Sequence, residues 1–134
     1  MRRRVTLFIF FCFCCLVADQ LSKYMAFQQG YAVLNSGIAF GFLAGAPWFF
    51  LITGIVALSI LAFFFWHHQQ GYPLLLLVFG ASSNLIDRMQ YGGVIDWLIV
   101  PGLNIKNNLA DWMVVIAVIW LLVVEFKNIR NESK

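Results

Sequence analysis

The chain has 134 residues, 62% of them hydrophobic and only 11% charged, with nine Lys and Arg against six Asp and Glu and a formal net charge of +3. Soluble domains run near about 45–50% apolar and about 25% charged, so an ordinary water-soluble globule is excluded. The roughly 83 apolar residues suffice for about four membrane spans of about 20 residues each and leave almost nothing for an extramembrane domain.

Arg2, Arg3 and Arg4 precede an apolar run over residues 5–18. A basic start and a short hydrophobic stretch also describe a cleaved signal sequence, but no small-residue cleavage pattern follows and residues 19–23 continue in helical register. A retained first span over residues 5–24 is therefore expected. Cys12, Cys14 and Cys15 fall inside it, where they read as small buried hydrophobes and imply neither a disulfide framework nor a zinc site. Asp19 and Lys23 stand four apart on one helical face, at the outer end of this span, and are expected to neutralise each other. Gly37, Gly41 and Gly45 form a small-residue series just before the next span, where close-approach turns are expected rather than a dimer face.

The second span is expected over residues 47–66, about 30 Å of helix, with Pro47 well placed in its first turn. Residues 67–72 read as a tight polar turn. His67 and His68 are adjacent, so they cannot both point to one metal as an i, i+4 pair can. Pro73 opens a third span, counted over residues 73–92, whose apolar run is interrupted by Asn84 and Asp87. Asp87 then lies roughly 8 Å inside the bilayer edge. A fourth span over residues 107–126 puts Asp111 about 6 Å inside the same edge.

Six of the nine basic residues lie in the two tails: Arg2, Arg3, Arg4, Lys127, Arg130 and Lys134. An even number of spans places both tails on one side, and the positive-inside bias makes that side cytoplasmic. Asp19, Asp87, Asp96 and Asp111 then gather toward the outer face, while Glu125 and Glu132 lie inside.

An acid at the centre of a spanning helix costs about 2.5–3.5 kcal/mol on insertion scales, less near the interface, so several acids in so small a chain call for a reason. One reason is a functional polar pocket. The other is interhelical adhesion by Asn35, Ser82, Ser83, Asn84, Asn107 and Asn108. Asp96 is the most informative acid, because it follows the Gly92-Gly93 turn and sits among Val94, Ile95, Trp97 and Leu98. If it folds back against Asp111, two carboxylates share a poorly hydrated site and hold a single proton between them. Such a pair suits amide hydrolysis, the ionised member activating water and the protonated member serving the carbonyl and the leaving amine. Spacing alone leaves that pairing open. A serine triad is weakened because no histidine lies on the side of the serines.

Five blocks, in order along nearly the whole chain, carry a family resemblance. They are Asp19-Gln20-Leu21-Ser22-Lys23, Asn35-Ser36-Gly37-Ile38-Ala39-Phe40-Gly41, the stretch from Gly80 that ends Asn84-Leu85-Ile86-Asp87-Arg88, then Gly93-Val94-Ile95-Asp96-Trp97, and finally Asn108-Leu109-Ala110-Asp111. The chain resembles the bacterial lipoprotein signal peptidases, the type II aspartic signal peptidases. The resemblance implies that Asp96 and Asp111 form a catalytic dyad. It implies that Asn35, Asn84, Arg88 and Asn108 line the substrate groove, with Arg88 holding a substrate carbonyl, and that Asp19, Lys23 and Asp87 support the fold. The implied substrates are prolipoproteins that carry diacylglycerol on a cysteine and are cut just before it. No metal or other cofactor and no nucleic acid is implied.

Departures from the family pattern are Asn107 and Trp97, each where phenylalanine is usual, and Ser82-Ser83 in place of a glycine-containing sequence. The outer connections are also short, so the family's sheet-like cradle and lid are expected in reduced form. The expectation is thus an all-α membrane protein: one integral-membrane peptidase domain over residues 1–134, with four spans, both termini cytoplasmic, small outer loops, a site near the outer face of the inner membrane, and a monomeric state favoured. The alternatives are a non-catalytic relative that binds lipidated peptides and a small proton-coupled carrier. A carrier is expected to show internal repeats and helices broken at mid-membrane.

Overall fold

The computed structural model describes residues 2–36, 54, 59, 71–103 and 105–132. Outside them lie the expected second span at 47–66, apart from the helical Gly54 and Ser59, and also the Gly37, Gly41 and Gly45 series, the His67-His68 pair and residues 37–41 of the second block.

Helix α1 (Arg2–Gln28) has 27 residues, about 40 Å of helix, and runs a turn beyond the expected span. It can do so because Asp19, Gln20 and Lys23, near its outer end, all find partners on other elements. Helix α2 (Gly71–Tyr91) starts two residues before Pro73, so Gly71 and Tyr72 belong to a helix rather than to the expected turn. Proline is tolerated in a first turn, where its missing N–H has no intrahelical partner to lose. The Tyr72 ring packs against Phe8, with centroids 4.9 Å apart, and stacks near Trp120 at 6.5 Å, which anchors this start to both other helices. Helix α3 (Leu109–Glu132) begins two residues after the expected Asn107, which lies in a strand instead. The correction has a local cause: Asn108 Oδ1 accepts the N–H of Asp111 at 2.9 Å, the side-chain cap that starts a helix.

Among the described residues, four three-residue strands lie near the helix ends. Strand β1 (Val33–Asn35) pairs antiparallel with β2 (Val94–Asp96), Asn35 opposite Val94 and Val33 opposite Asp96. Strand β3 (Leu98–Val100) pairs antiparallel with β4 (Ile105–Asn107), Leu98 opposite Asn107. The Trp97 N–H links the two pairs by donating to Asn107 O at 2.9 Å.

The two helices Arg3–Gln28 and Leu109–Asn131 are long and apolar enough to cross a membrane, and only 11% and 17% of their most apolar stretches is buried. Their large side chains, among them Phe10, Phe13, Ile119 and Leu122, face outward. A water-soluble core helix would hide such residues, so these surfaces suit lipid. Among the described residues, a small buried seam between α1, α2 and α3 is made of Cys12, Leu76, Leu77, Met113 and Ala117. Of the three cysteines only Cys12 is buried; Cys14 is exposed on the outward face of α1, a correction to the reading of all three as buried.

Helices α2 and α3 approach closely at Gly80, where a Cβ would lie 2.9 Å from Ala110 O. A second close approach fixes the sheet that carries Asp96. At Gly93 a Cβ would stand 2.9 Å from Asn35 O, so only glycine lets β1 reach β2 there. Gly93→Ala is expected to push the strands apart and lower stability by about 1–3 kcal/mol. A fall in the thermal midpoint of the detergent-solubilised protein, together with reduced peptide cleavage, checks this.

Candidate active site

Asp96 ends β2, and Asp111 sits in the first turn of α3, where a negative side chain is favoured by the helix dipole. One asparagine joins them. Asn108 is fully buried: its Oδ1 accepts the Asp111 N–H at 2.9 Å, and its Nδ2 donates to Asp96 Oδ1 at 2.7 Å. Asn35 Nδ2 donates to the other Asp96 oxygen, Oδ2, at 3.1 Å. Asn84 Nδ2 donates to Asp111 Oδ1 at 2.8 Å. The Asp96 carboxylate is thus held by two side-chain amides from separate segments of the chain, and the Asp111 carboxylate by one. Burial pushes the Asp96 carboxyl above the ordinary carboxylate range; the hydrogen bonds from Asn35 and Asn108 oppose the rise, and the nearby Asp111 charge adds to it.

Beneath the two acids lies a buried ionic cluster. Lys23 Nζ is 2.7 Å from Asp19 Oδ2, as the four-residue spacing predicts, and 2.8 Å from Asp87 Oδ2 of α2. It also donates to Asn84 Oδ1 at 2.9 Å. Asp19 accepts the Ala110 N–H at 3.0 Å and the Ser83 hydroxyl at 2.6 Å, which ties α1 to α2 and to the start of α3. Asp87 accepts the Ile95 N–H at 3.2 Å and so holds β2 in place. Asp19, Lys23 and Asp87 are 1% exposed or less. Two acids against one base would leave excess negative charge, and the surrounding donors compensate it.

Gln20 belongs to this cluster, although the sequence assigned it no role. Its Nε2 lies 2.8 Å from Asp87 Oδ1, 2.9 Å from Ser83 Oγ and 3.0 Å from Ser83 O. Its place three residues before Lys23, on the same helical face, is the signal that could have found it.

A cavity of about 330 Å³ opens between α2 and α3. Its polar lining is Asn84, Arg88 and Asp111, and its apolar lining is Gly54, Ala81, Leu85, Val114 and Val115. The Arg88 guanidinium lies within electrostatic reach of Asp111, Asp87 and Asp96. Of the four residues expected to line a substrate groove, Asn84 and Arg88 face this cavity, whereas Asn35 and Asn108 are taken up by Asp96. Both phenylalanine replacements leave buried polar atoms, Trp97 Nε1 and Asn107 Oδ1, with no hydrogen-bond partner among the described residues. No group of three or more His, Cys, Asp or Glu among the described residues could hold a metal ion.

The chain is similar to known proteins. The chain is 34% identical to the lipoprotein signal peptidase of Syntrophus aciditrophicus, over 75% of this chain and 71% of that one. It is 34% identical to that of Staphylococcus carnosus, over 70% and 72%, and 38% identical to that of Burkholderia ambifaria, over 75% and 67%. Among solved structures it superposes on a bacterial membrane enzyme determined by the in meso method at 2.3 Å, with a TM-score of 0.80 and 26% identity over 96% of this chain and 90% of that one. The family described as signal peptidase (SPase) II matches residues 11–127, and so, with an apolar helical body around buried acids, the chain belongs to the signal peptidase II family.

Proposed function

We propose that Asp96 and Asp111 are the catalytic pair with which this signal peptidase cleaves diacylglyceryl-modified prolipoproteins just before the lipidated cysteine. The observation that carries the reading is the Asn108 bridge, one buried amide that accepts the Asp111 backbone N–H and donates to the Asp96 carboxylate, and so ties the two residues together. The relatives named as lipoprotein signal peptidases support the substrate class. The ionised carboxylate takes a proton from water as the oxygen attacks the scissile carbonyl, and the protonated carboxyl donates to the carbonyl oxygen. When the C–N bond breaks, the carboxyl that took the water proton gives it to the leaving amine while the other takes a proton back from a hydroxyl of the intermediate, so the pair again holds one proton. Arg88, on the cavity wall, is positioned to hold a substrate carbonyl.

On this reading residues 1–134 form one peptidase domain with four spans in the bacterial inner membrane, both tails cytoplasmic and the acids near the outer face. The basic tails and the lipid-suited faces of α1 and α3 support that placement. A site a few ångströms inside the outer leaflet meets a lipid-anchored cysteine while its acyl chains stay in the bilayer. The peptidase relatives do not favour a silent peptide binder or a proton-coupled carrier. The test is the purified chain in nanodiscs, given a prolipoprotein with and without its diacylglyceryl group. Cleavage of the modified form alone, before its cysteine, is expected; cleavage of neither form by folded protein would overturn the reading.

A further inference from the structure

Lys23 is 1% exposed, and its ammonium faces three acceptors from two helices: Asp19, Asp87 and Asn84. Two carboxylates already outweigh one positive charge, so the third contact satisfies the third donor of the buried ammonium rather than its charge. An ammonium carries three donors and no acceptor, so the end of the Asn84 amide that faces it must be the carbonyl oxygen. The NH₂ end is then turned to the other side, where it donates to Asp111 Oδ1 at 2.8 Å. An asparagine without such a neighbour can present either end of its amide. Turned over, Asn84 would set an oxygen against the Asp111 carboxylate and repel its charged form.

We propose that Lys23 is a positioning residue for Asp111, locking the Asn84 amide in the one orientation that donates to that carboxylate. The inference rests on the reading of Asp96 and Asp111 as the catalytic pair. It has a counterpart across the site, where the Asp111 N–H, also only a donor, fixes Asn108 Oδ1 and turns Asn108 Nδ2 toward Asp96. Each acid thereby receives a donor whose polarity is set by a neighbour unable to accept. The lock reaches Asp111 of α3 from α1 through α2, so loosening any of the three helices frees the amide.

The charged groups that act on Asp111 are Asp96 from β2, Arg88 from α2, and Lys23 and Asp19 from α1. Removing Lys23 therefore takes away both a charge and a lock, and a double-mutant cycle separates them. Lys23→Met, Asn84→Leu and the double variant are compared by the pH dependence of kcat on a lipidated prolipoprotein. Each single change is expected to move the acid limb up by about one pH unit. Each is also expected to lower kcat by about tenfold to a hundredfold. The double variant is expected to shift clearly less than the sum of the two singles, because once Asn84 is gone only the direct charge of Lys23 is left to lose. Additive shifts, or an unmoved acid limb in a folded Lys23→Met protein, would overturn the proposal. If Lys23→Met does not fold, Lys23→Gln, whose amide can accept as well as donate, takes its place in the same cycle: shifts that are less than additive with those of Asn84→Leu support the lock, and additive ones overturn it. Failure of the underlying reading looks different, because Asp111→Asn would then still cleave.

Discussion

Asp96→Asn and Asp111→Asn are each expected to lower prolipoprotein cleavage by about 10²–10⁴-fold, the range general acid–base groups contribute. Either change removes one member of a pair whose work needs both an ionised and a protonated carboxyl. The substitutions keep the side-chain shape, so the loss should come without unfolding. At Asp96 one amide oxygen can still accept from Asn108 or Asn35, while the new NH₂ faces the other donor. That mismatch costs about 1–3 kcal/mol, visible as a lowered thermal midpoint in a protein that remains folded. Substantial cleavage by either folded variant would remove that residue from the pair.

The same pairing predicts a bell-shaped dependence of kcat on pH. At low pH both carboxyls are protonated and no base remains to activate water. At high pH both are ionised and no acid remains for the carbonyl or the amine. Burial raises the Asp96 carboxyl above the ordinary carboxylate range, so it resists ionisation and carries the active window upward from the acidic range in which free carboxylic acids titrate. A rate independent of pH across the acidic and neutral range, with chemistry limiting, would count against a shared proton.

The largest stability effect is expected from Asp87→Ala. Asp87 is fully buried and accepts from Lys23 Nζ, Gln20 Nε2 and Ile95 N. Truncation leaves the Lys23 ammonium with Asp19 alone as its ionic partner and takes the side-chain acceptor from the Ile95 N–H, while Gln20 Nε2 keeps its Ser83 acceptors. Breaking one side of a buried ionic network costs about 3–5 kcal/mol. It also releases the strand that carries Asp96, so cleavage should fall along with stability. Asp87→Asn, which keeps an acceptor oxygen, should lose less. Thermal unfolding in detergent checks the order, with the exposed Glu125→Ala as a surface change that should move the midpoint little. A midpoint for Asp87→Ala equal to that of Glu125→Ala would show the cluster to be dispensable.

How much of this was legible beforehand depends on the distance over which each feature acts. The Asp19–Lys23 pair could be read at once, because residues four apart on a helix are neighbours whatever surrounds them. That Lys23 also meets Asp87 and Asn84, more than 60 residues away, could not, since it depends on how α1 packs against α2. The start of α3 was misjudged for a related reason. Counting a membrane thickness back from Phe126 ignores the cap, and only the folded chain reveals that Asn108 spends its oxygen on Asp111 and its amide on Asp96. Periodicity and spacing left the partner of Asp96 open; the family resemblance singled out Asp111, on motifs rather than on geometry.

Composition alone settled the class of the molecule, because a chain with 11% charge and 62% apolar residues has too little polar surface to meet water and enough hydrocarbon to meet lipid. Which of its scarce charges work together was decided by tertiary structure. Hydrophobicity is a sum over residues and needs no coordinates. A hydrogen bond is a matter of about 3 Å and a direction, and segments remote in sequence acquire that geometry only when the helices pack.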